Sequence, residues 1–449
     1  MKNETRGTFK SNFGVMMAVS GSAVGLGNIW RFPYLLGDNG GGAFLILYLL
    51  LVLLVGLPLV IGEFTIGRAT HRGVVGSFRR LAPGKPWVGI GYLSIITGFT
   101  ILGFYSVIAG WTGRFVVEAA LNNFEGHSST EISTSFDDFV QSGWQSILYA
   151  MGFITLAAWI VGRGVESGIE KFNKILMPAL IVILVLLALN SIRLDGFGAG
   201  MEFLFKPDFS KITSKTVLDA LGQVFFTLSI GMGVMITYSS YVTGEDNLPR
   251  SKAIVTLIDT SIAVVAGIAI FPAVFTFGIA PSEGPSLVFL TLPNVFAQIP
   301  GGYLVAILFF VMLLIAAMTS AISIMEMMAA YLIEEFSISR KRAITYIALG
   351  VFVLATLSAL SQIDGLNINI LGLNVFDFLD TLSSNYLLTL GGFFTALFVG
   401  WAFDKRLLRD TFTSHGRYGK AFYAPFLFTI RFVVPVAVSM IFLSKIGMI

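Results

Sequence analysis

The chain has 449 residues, of which 55% are apolar and 12% charged, and its formal net charge at pH 7 is +3. Soluble domains carry about 25% charged residues, so this chain has too little charge to cover water-facing surfaces. With no cysteine it has no disulfide framework, thiolate metal site or cysteine nucleophile, and its small, scattered charge does not favour nucleic acid. Residues 43–62 and 301–325 are free of charge and long enough to cross a bilayer. The sequence predicts an integral membrane protein.

Hydropathy predicts about eleven spanning segments, and we expect helices because a bilayer core cannot hydrate open backbone. They cover residues 13–36, 42–68, 88–121, 143–161, 168–190, 217–241, 252–279, 301–335, 341–360, 375–402 and 422–446. No linker divides the chain, so we predict one transmembrane domain over residues 1–449. Its parts are an N-terminal segment (1–12), two groups of five segments (13–190 and 217–402) and an additional helix (422–446).

The distribution of basic residues predicts the orientation. Most of the 29 lysines and arginines lie in the loops on the same side as the N-terminus. The positive-inside rule therefore predicts a cytoplasmic N-terminus in the cell (inner) membrane and, after an odd number of spans, an extracytoplasmic C-terminus. The first ten residues are polar and lead into a long apolar run, so we expect no cleaved signal peptide.

Glycines interrupt the first segment at Gly21–Asn28 and the sixth at Thr227–Gly233. Each glycine costs about 0.5–1 kcal/mol relative to alanine inside a helix. Close helix packing through small residues is one explanation. The other is an inverted-repeat secondary transporter, because both breaks fall in the first segment of a five-helix half. Unwound backbone there offers carbonyls to a cation and N–H groups to a carboxylate, and oxygen ligands without a nitrogen or sulfur cluster favour an alkali cation.

Three carboxylates, Glu63, Asp259 and Glu326, fall within predicted spans, where ionised groups are costly and usually functional. Each one taken alone also fits a structural polar contact. Asp259 is the most suggestive, because it lies in a polar island of an otherwise apolar segment. Thr319 and Ser320 place adjacent hydroxyls in the eighth segment, although such hydroxyls often bond to their own helix.

At these residues the chain resembles the neurotransmitter:sodium symporter family, and specifically its eleven-helix bacterial amino-acid branch. The resemblance runs almost end to end and is carried by Gly21–Pro33, Gly40–Phe44, Phe225–Tyr241 and Ala317–Ser320, in the family's order and spacing. It implies an all-α membrane protein with two inverted five-helix repeats, unwound first and sixth helices, and an eleventh helix. It further implies a sodium-coupled symporter that works by alternating access and is not an enzyme.

The resemblance implies two sodium sites. The first consists of the Ala23 carbonyl and the side chains of Asn28, Thr227 and Asp259, completed by the substrate carboxylate. The second consists of the carbonyls of Gly21, Val24 and Ala316 with the hydroxyls of Thr319 and Ser320. Chloride independence is expected, because Asp259 stands where many relatives have asparagine, and Ala263 stands where animal members have a chloride-binding serine.

The substrate class follows from Gly25, which occupies the position where amine transporters of the family carry an aspartate. Without that carboxylate the site is suited to an amino acid, and the apolar lining predicts hydrophobic or aromatic L-amino acids. The expected substrate-binding residues are Ala23, Gly25, Leu26, Gly27, Ile101, Tyr105, Phe226, Thr227, Ser229, Met232, Ser320 and Ile324. Without the resemblance, the aliphatic stripe among them would be read as core packing.

The resemblance also suggests gates on both sides of the site. Arg31 would pair with Asp380, or with its rival Asp377, on the outer side. On the inner side Arg6 would pair with Glu334 near Tyr241. Gly168 and Pro178 would bracket a stretch of the fifth segment that unwinds to admit water, although they also fit a helix-start glycine and a kinking proline.

Two alternatives remain open at this point. A proton-coupled amino-acid transporter of the same fold would use Asp259, Glu63 or Glu326 as its proton carrier. A membrane-embedded metalloenzyme would use the same carboxylates, although it would lack histidine and cysteine ligands. Besides the amino acid, the sodium ions and the bilayer, we expect no nucleic acid and no obligate protein partner.

Overall fold

The structure is a computed structural model that describes residues 9–242, 247–278, 287–299 and 301–445. Within these ranges, nine helices are long and apolar enough to cross a membrane. They are Gly42–Thr70, Val88–Ala120, Trp144–Gly162, Val165–Ser191, Leu248–Thr276, Gly302–Phe336, Arg340–Leu360, Val375–Ala402 and Lys420–Met440. Each corresponds to one predicted segment, with ends that differ by a few residues.

The first segment is a bent pair of helices, Phe13–Ala23 and Gly27–Asp38, whose axes differ by 46°. Ser11 caps the first of them by accepting a hydrogen bond from the Gly14 N–H. The helix ends where Val24 takes an extended conformation (φ −75°, ψ 99°). The glycine-rich stretch thus produces the break that its low helix propensity predicts.

The sixth segment is also discontinuous. It consists of the helices Ser214–Thr227 and Val234–Ser239, which are separately too short to cross a bilayer. Between them Ser229, Gly231 and Gly233 have left-handed backbone with φ of 53°, 84° and 76°. Counted with the two broken segments, the described helices make eleven segments, which confirms the predicted all-α class.

Short elements connect the segments. They are the helices Val74–Leu81, Ser129–Gln141, Phe197–Phe205, Leu292–Gln298 and Lys405–Thr413, the π-helical turn Leu287–Thr291 and the 3₁₀ turn Phe209–Lys211. One antiparallel pair, Asn369–Ile370 with Leu373–Asn374, joins the ninth and tenth segments, and Asn369 pairs with Asn374.

The fifth segment is helical throughout. Val165–Glu170 forms a π-helical turn and Lys171–Ser191 continues as an α-helix that includes Pro178. The Gly168 N–H is satisfied by the Gly164 carbonyl at 3.1 Å. Unwinding between Gly168 and Pro178 is therefore not present in this structure and stays a prediction about another conformation.

Some polar groups are buried inside the helix bundle with its apolar core, and many large apolar side chains are exposed on the outside. Asn28, Asp259 and Thr319 are completely buried, whereas Leu53 and Val353 are 61% and 60% exposed. This distribution suits a protein surrounded by lipid and places the two breaks in the protected centre. We call the side at which the first helix begins the N-terminal face, and the other side the opposite face.

Candidate substrate and ion site

A small cavity lies where the two breaks meet. Every residue that the sequence analysis assigns to the substrate lines it, and Ser22 is the one addition. Ser22 joins the two breaks directly, because the Ser229 hydroxyl donates to its carbonyl at 2.9 Å. A larger cavity lies elsewhere, around Arg114 and Phe136, remote from both breaks.

Backbone N–H groups and side-chain hydroxyls lie together at one end of this cavity. The Leu26 N–H donates to the Tyr105 hydroxyl at 3.4 Å, and the Gly25 N–H donates to Asn28 Oδ1 at 3.1 Å. A Cβ atom on residue 25 would lie 2.3 Å from Ser320 Oγ and 3.3 Å from the Tyr105 hydroxyl oxygen. A side chain at residue 25 would displace the Ser320 hydroxyl, so glycine keeps these groups within reach of a ligand and leaves the space open.

The residues predicted for the first sodium site converge on Asp259. Asn28 Nδ2 donates to Asp259 Oδ1 at 2.8 Å, and Thr227 Oγ1 donates to the same oxygen at 3.1 Å. Asp259 is fully buried, and no cationic side chain of the described residues pairs with it. A buried carboxylate held only by neutral donors is costly unless a cation joins it, so this cluster is electrostatically suited to a monovalent cation.

The residues predicted for the second site supply neutral oxygens. The Thr319 hydroxyl lies within hydrogen-bond distance of the Val24 carbonyl (3.3 Å) and the Ala316 carbonyl (3.0 Å). Ser320 Oγ donates to the Ser22 carbonyl at 3.3 Å. Gly21 packs against the same helix, since a Cβ atom placed on it would lie 3.3 Å from Thr319 Cβ. The structure brings the first and eighth segments together here through oxygen atoms.

Glu63 supports the break in the sixth segment. Its Oε1 accepts the Gly231 N–H at 2.7 Å, so a carboxylate satisfies backbone that has left the helix. Gln223 has a similar function at the first break, because its Nε2 donates to the Gly27 carbonyl at 2.7 Å. The sequence analysis did not single out Gln223, since a lone glutamine in an apolar segment has no distinctive spacing.

On the opposite face, Arg31 lies above the cavity with its Cζ 4.9 Å from the centroid of the Phe226 ring. It is 9% exposed, and its Nε and Nη1 find no hydrogen-bond partner among the described residues. Asp380 attracts it electrostatically but accepts its hydrogen bond from Ser384, at 2.8 Å. Asp377 is instead bonded to Asn374. Within the described ranges neither carboxylate forms an ion pair with Arg31.

The N-terminal face is closed by hydrogen bonds and a salt bridge rather than by a cation over a ring. The Tyr241 hydroxyl donates to Glu326 Oε1 at 2.7 Å, and Glu326 also forms a salt bridge with Arg340. Glu334 accepts the Gly73 N–H at 2.9 Å. Arg6, its predicted partner, lies outside the described residues. Sequence reasoning missed Arg340, and the only available signal was its position in the basic run 340–342 close to Glu326 in the chain.

Comparison with known proteins identifies the family of this chain. A family model described as the Sodium:neurotransmitter symporter family matches residues 6–125 and 117–449. The chain belongs to that family and is a sodium-dependent transporter, not an enzyme.

Individual relatives agree over nearly the full length. The chain is 38% identical over 439 residues to the uncharacterized sodium-dependent transporter YhdH of Bacillus subtilis, which covers 98% of this chain and 97% of that one. It is 36% identical to an uncharacterized sodium-dependent transporter of Haemophilus influenzae, with 99% of both chains covered. The crystal structure of MhsT in complex with L-phenylalanine matches with a TM-score of 0.91 and 41% identity, over 98% of this chain and 99% of MhsT.

Proposed function

We propose that this transporter takes up hydrophobic or aromatic L-amino acids with two sodium ions, by alternating access and without chloride. The observation that carries the proposal is the cavity at the two helix breaks. Its ends differ in chemistry, because hydroxyls and backbone amides gather around Gly25 while apolar side chains line the rest. A zwitterion with an apolar side chain complements both ends.

The apolar end argues for the substrate's side chain. Ile101, Phe226, Met232 and Ile324 line it and are each less than a tenth exposed. Methionine adapts its shape to different ligands, which favours a range of aliphatic and aromatic side chains. MhsT was crystallised with L-phenylalanine, which supports an aromatic amino acid among the substrates.

Coupling follows from the position of the first ion. An ion between Asp259, Asn28 and Thr227 would lie beside the amide-rich end of the cavity and attract the substrate carboxylate. Ion and substrate would then raise each other's affinity by the same factor.

The sodium gradient supplies enough free energy for accumulation. One charge that crosses about 100 mV gains roughly 2.3 kcal/mol, and a tenfold sodium gradient adds about 1.4 kcal/mol. Two ions supply roughly 7 kcal/mol, enough for about a 10⁵-fold accumulation.

Chloride independence is supported by the fixed charge of Asp259. The carboxylate is buried within the ion cluster, and Ala263, one turn further along the same helix, offers no hydroxyl to an anion. Fixed negative charge beside the sodium ion takes the place of a bound anion. Replacing chloride by gluconate is expected to leave sodium-dependent uptake unchanged.

We further propose that the N-terminal face is cytoplasmic in the cell membrane and that the C-terminus is outside. The support is the positive-inside distribution of lysine and arginine. Uptake then requires the opposite face to open first, with Arg31 and Phe226 moving aside. The N-terminal face opens later, after the contacts of Glu326 break.

The test is equilibrium binding of labelled L-phenylalanine to purified protein in sodium and in potassium, with competition by the twenty standard amino acids. Binding that requires sodium, and that leucine and tryptophan but not aspartate compete away, is expected. Asp259→Ala is expected to abolish it, while Asp208→Ala, in an exposed loop, is the matched control. Equal binding in sodium and potassium would refute the coupling, and uptake driven by a pH gradient alone would favour the proton-coupled alternative.

A further inference from the structure

Asn173 in the fifth segment is a buried polar residue that the site described so far does not use. It is 1% exposed, and its Nδ2 donates to the Ile169 carbonyl of its own helix at 2.9 Å. Its Oδ1 has no hydrogen-bond partner among the described residues. An unpaired buried acceptor is costly, so this oxygen requires an explanation.

The unpaired oxygen lies beside Gly21, one of the residues predicted for the second sodium site. We call that set of residues, Gly21, Val24, Ala316, Thr319 and Ser320, the second cation group. A Cβ atom on Gly21 would lie 2.3 Å from Asn173 Oδ1 and 3.3 Å from Thr319 Cβ. The amide oxygen and the threonine therefore flank the same glycine, whose carbonyl is one of the proposed ligands. Only a residue without a side chain leaves Asn173 this access to the first helix.

The position of Asn173 along its helix adds a second argument. It lies between Gly168 and Pro178, the stretch that we expect to unwind toward the N-terminal face. Thr319 of the eighth helix lies close to the same side of Gly21. An ion that leaves the second group through the fifth helix would meet the Asn173 oxygen first.

We propose that Asn173 Oδ1 is an additional ligand for the sodium ion, on the fifth-helix side of the second cation group. The inference rests on the second sodium site of the proposed function and extends it by one residue. Amide oxygen is a hard neutral donor of the same kind as the backbone carbonyls that hold sodium in broken helices. When the ion is bound, the orphaned acceptor gains its partner.

The test measures the sodium concentration that gives half-maximal binding of labelled L-phenylalanine, at pH 8.5. Asn173→Ala is expected to raise this concentration about fivefold, and Asn173→Asp, which adds a charge to the same oxygen position, to lower it severalfold. Asn190→Ala, at the far end of the same helix, is the control and is expected to change nothing. Shifts of equal direction for alanine and aspartate, or no shift in either, overturn the proposal.

Thermal unfolding of Asn173→Ala keeps the inference testable if the aspartate variant does not fold. Without sodium, its Tm is expected to equal or exceed that of the wild type, because an unpaired buried acceptor is removed. The rise in Tm that sodium produces is expected to be smaller, since ligand stabilisation follows affinity. A lowered sodium-free Tm with an unchanged sodium increment would show a packing role and overturn the proposal. A wild type that binds equally in potassium would instead refute the proposed function itself.

Discussion

The two faces of the bundle close the central cavity by different means. On the N-terminal face, Tyr241, Glu326 and Arg340 form a bonded network, and the Arg340 Nε also donates to the Val161 carbonyl at 2.8 Å. On the opposite face, Arg31 rests on the Phe226 ring with two of its nitrogens unbonded among the described residues. One face is held by ionic hydrogen bonds, and the other by a cation that is stacked on an aromatic ring and forms no salt bridge among the described residues.

This difference indicates which face opens more easily. Hydrogen bonds to a charged group contribute about 1.5–3 kcal/mol each, whereas a cation over an aromatic ring contributes about 0.5–2 kcal/mol. The conformation described here is therefore closed firmly toward the N-terminal face and thinly toward the opposite one. The opposite face is therefore expected to open with less disruption than the N-terminal face.

The largest expected effect comes from Arg340→Ala, which leaves the Glu326 carboxylate buried without its cation. The bundle would relieve this by opening the N-terminal face to water. Because the chain has no cysteine, a single Ser323→Cys, one turn from Glu326 on the same helix, reports that opening. Its rate of labelling by a water-soluble thiol reagent is expected to rise at least about tenfold.

The control for this change is Arg342→Ala in the same reporter background, since Arg342 is exposed two residues further along the helix. It is expected to leave the labelling rate unchanged. If Arg340→Ala labelled no faster than this control, the Glu326 network would not be what closes the N-terminal face.

Features that depend on neighbouring residues in the chain could be predicted from the sequence, whereas contacts between distant helices could not. The breaks were predictable because low helix propensity belongs to the glycines of Gly21–Asn28 and Thr227–Gly233 themselves. Asp259 was identifiable because a charge in an apolar span is conspicuous. The pairing of Glu326 with Arg340 was not predictable, because it depends on how the eighth and ninth helices cross. The free oxygen of Asn173 likewise becomes visible only once the helix is packed against Gly21.

A smaller effect is expected from Tyr241→Phe, which removes one hydrogen bond to Glu326 and keeps the Arg340 salt bridge. A hydrogen bond to a charged group contributes about 1.5–3 kcal/mol, but the remaining cation compensates part of the loss. Labelling of Ser323→Cys is expected to rise about threefold. An increase as large as that of Arg340→Ala would show that the tyrosine, not the ion pair, controls the closure.

On the opposite face the informative change is Asp380→Asn, with its rival Asp377→Asn as the matched control. Asp380 attracts Arg31 without contacting it as an ion pair, so its charge is expected to matter moderately. Dissociation of bound labelled L-phenylalanine is expected to be roughly threefold faster in Asp380→Asn and unchanged in Asp377→Asn. The reverse ranking would assign the outer gate to Asp377, and equal rates in both would remove either carboxylate from it.

The smallest expected effect lies at the edge of the N-terminal face, where Lys10 pairs with Glu166 at the start of the fifth helix. Both side chains are exposed, so the pair is screened by solvent, and Lys10→Ala is expected to change Ser323→Cys labelling less than about twofold. Glu166 raises the pKa of Lys10, so the contribution of the pair is present at neutral pH and is lost as the pH rises through that raised value. The main-chain N–H of residue 10, which donates to Glu170 at 2.8 Å in this structure, is not removed by the substitution. A strong effect of Lys10→Ala that persists in high salt would therefore mean that the N-terminal segment, more than the Glu326 network, closes this face.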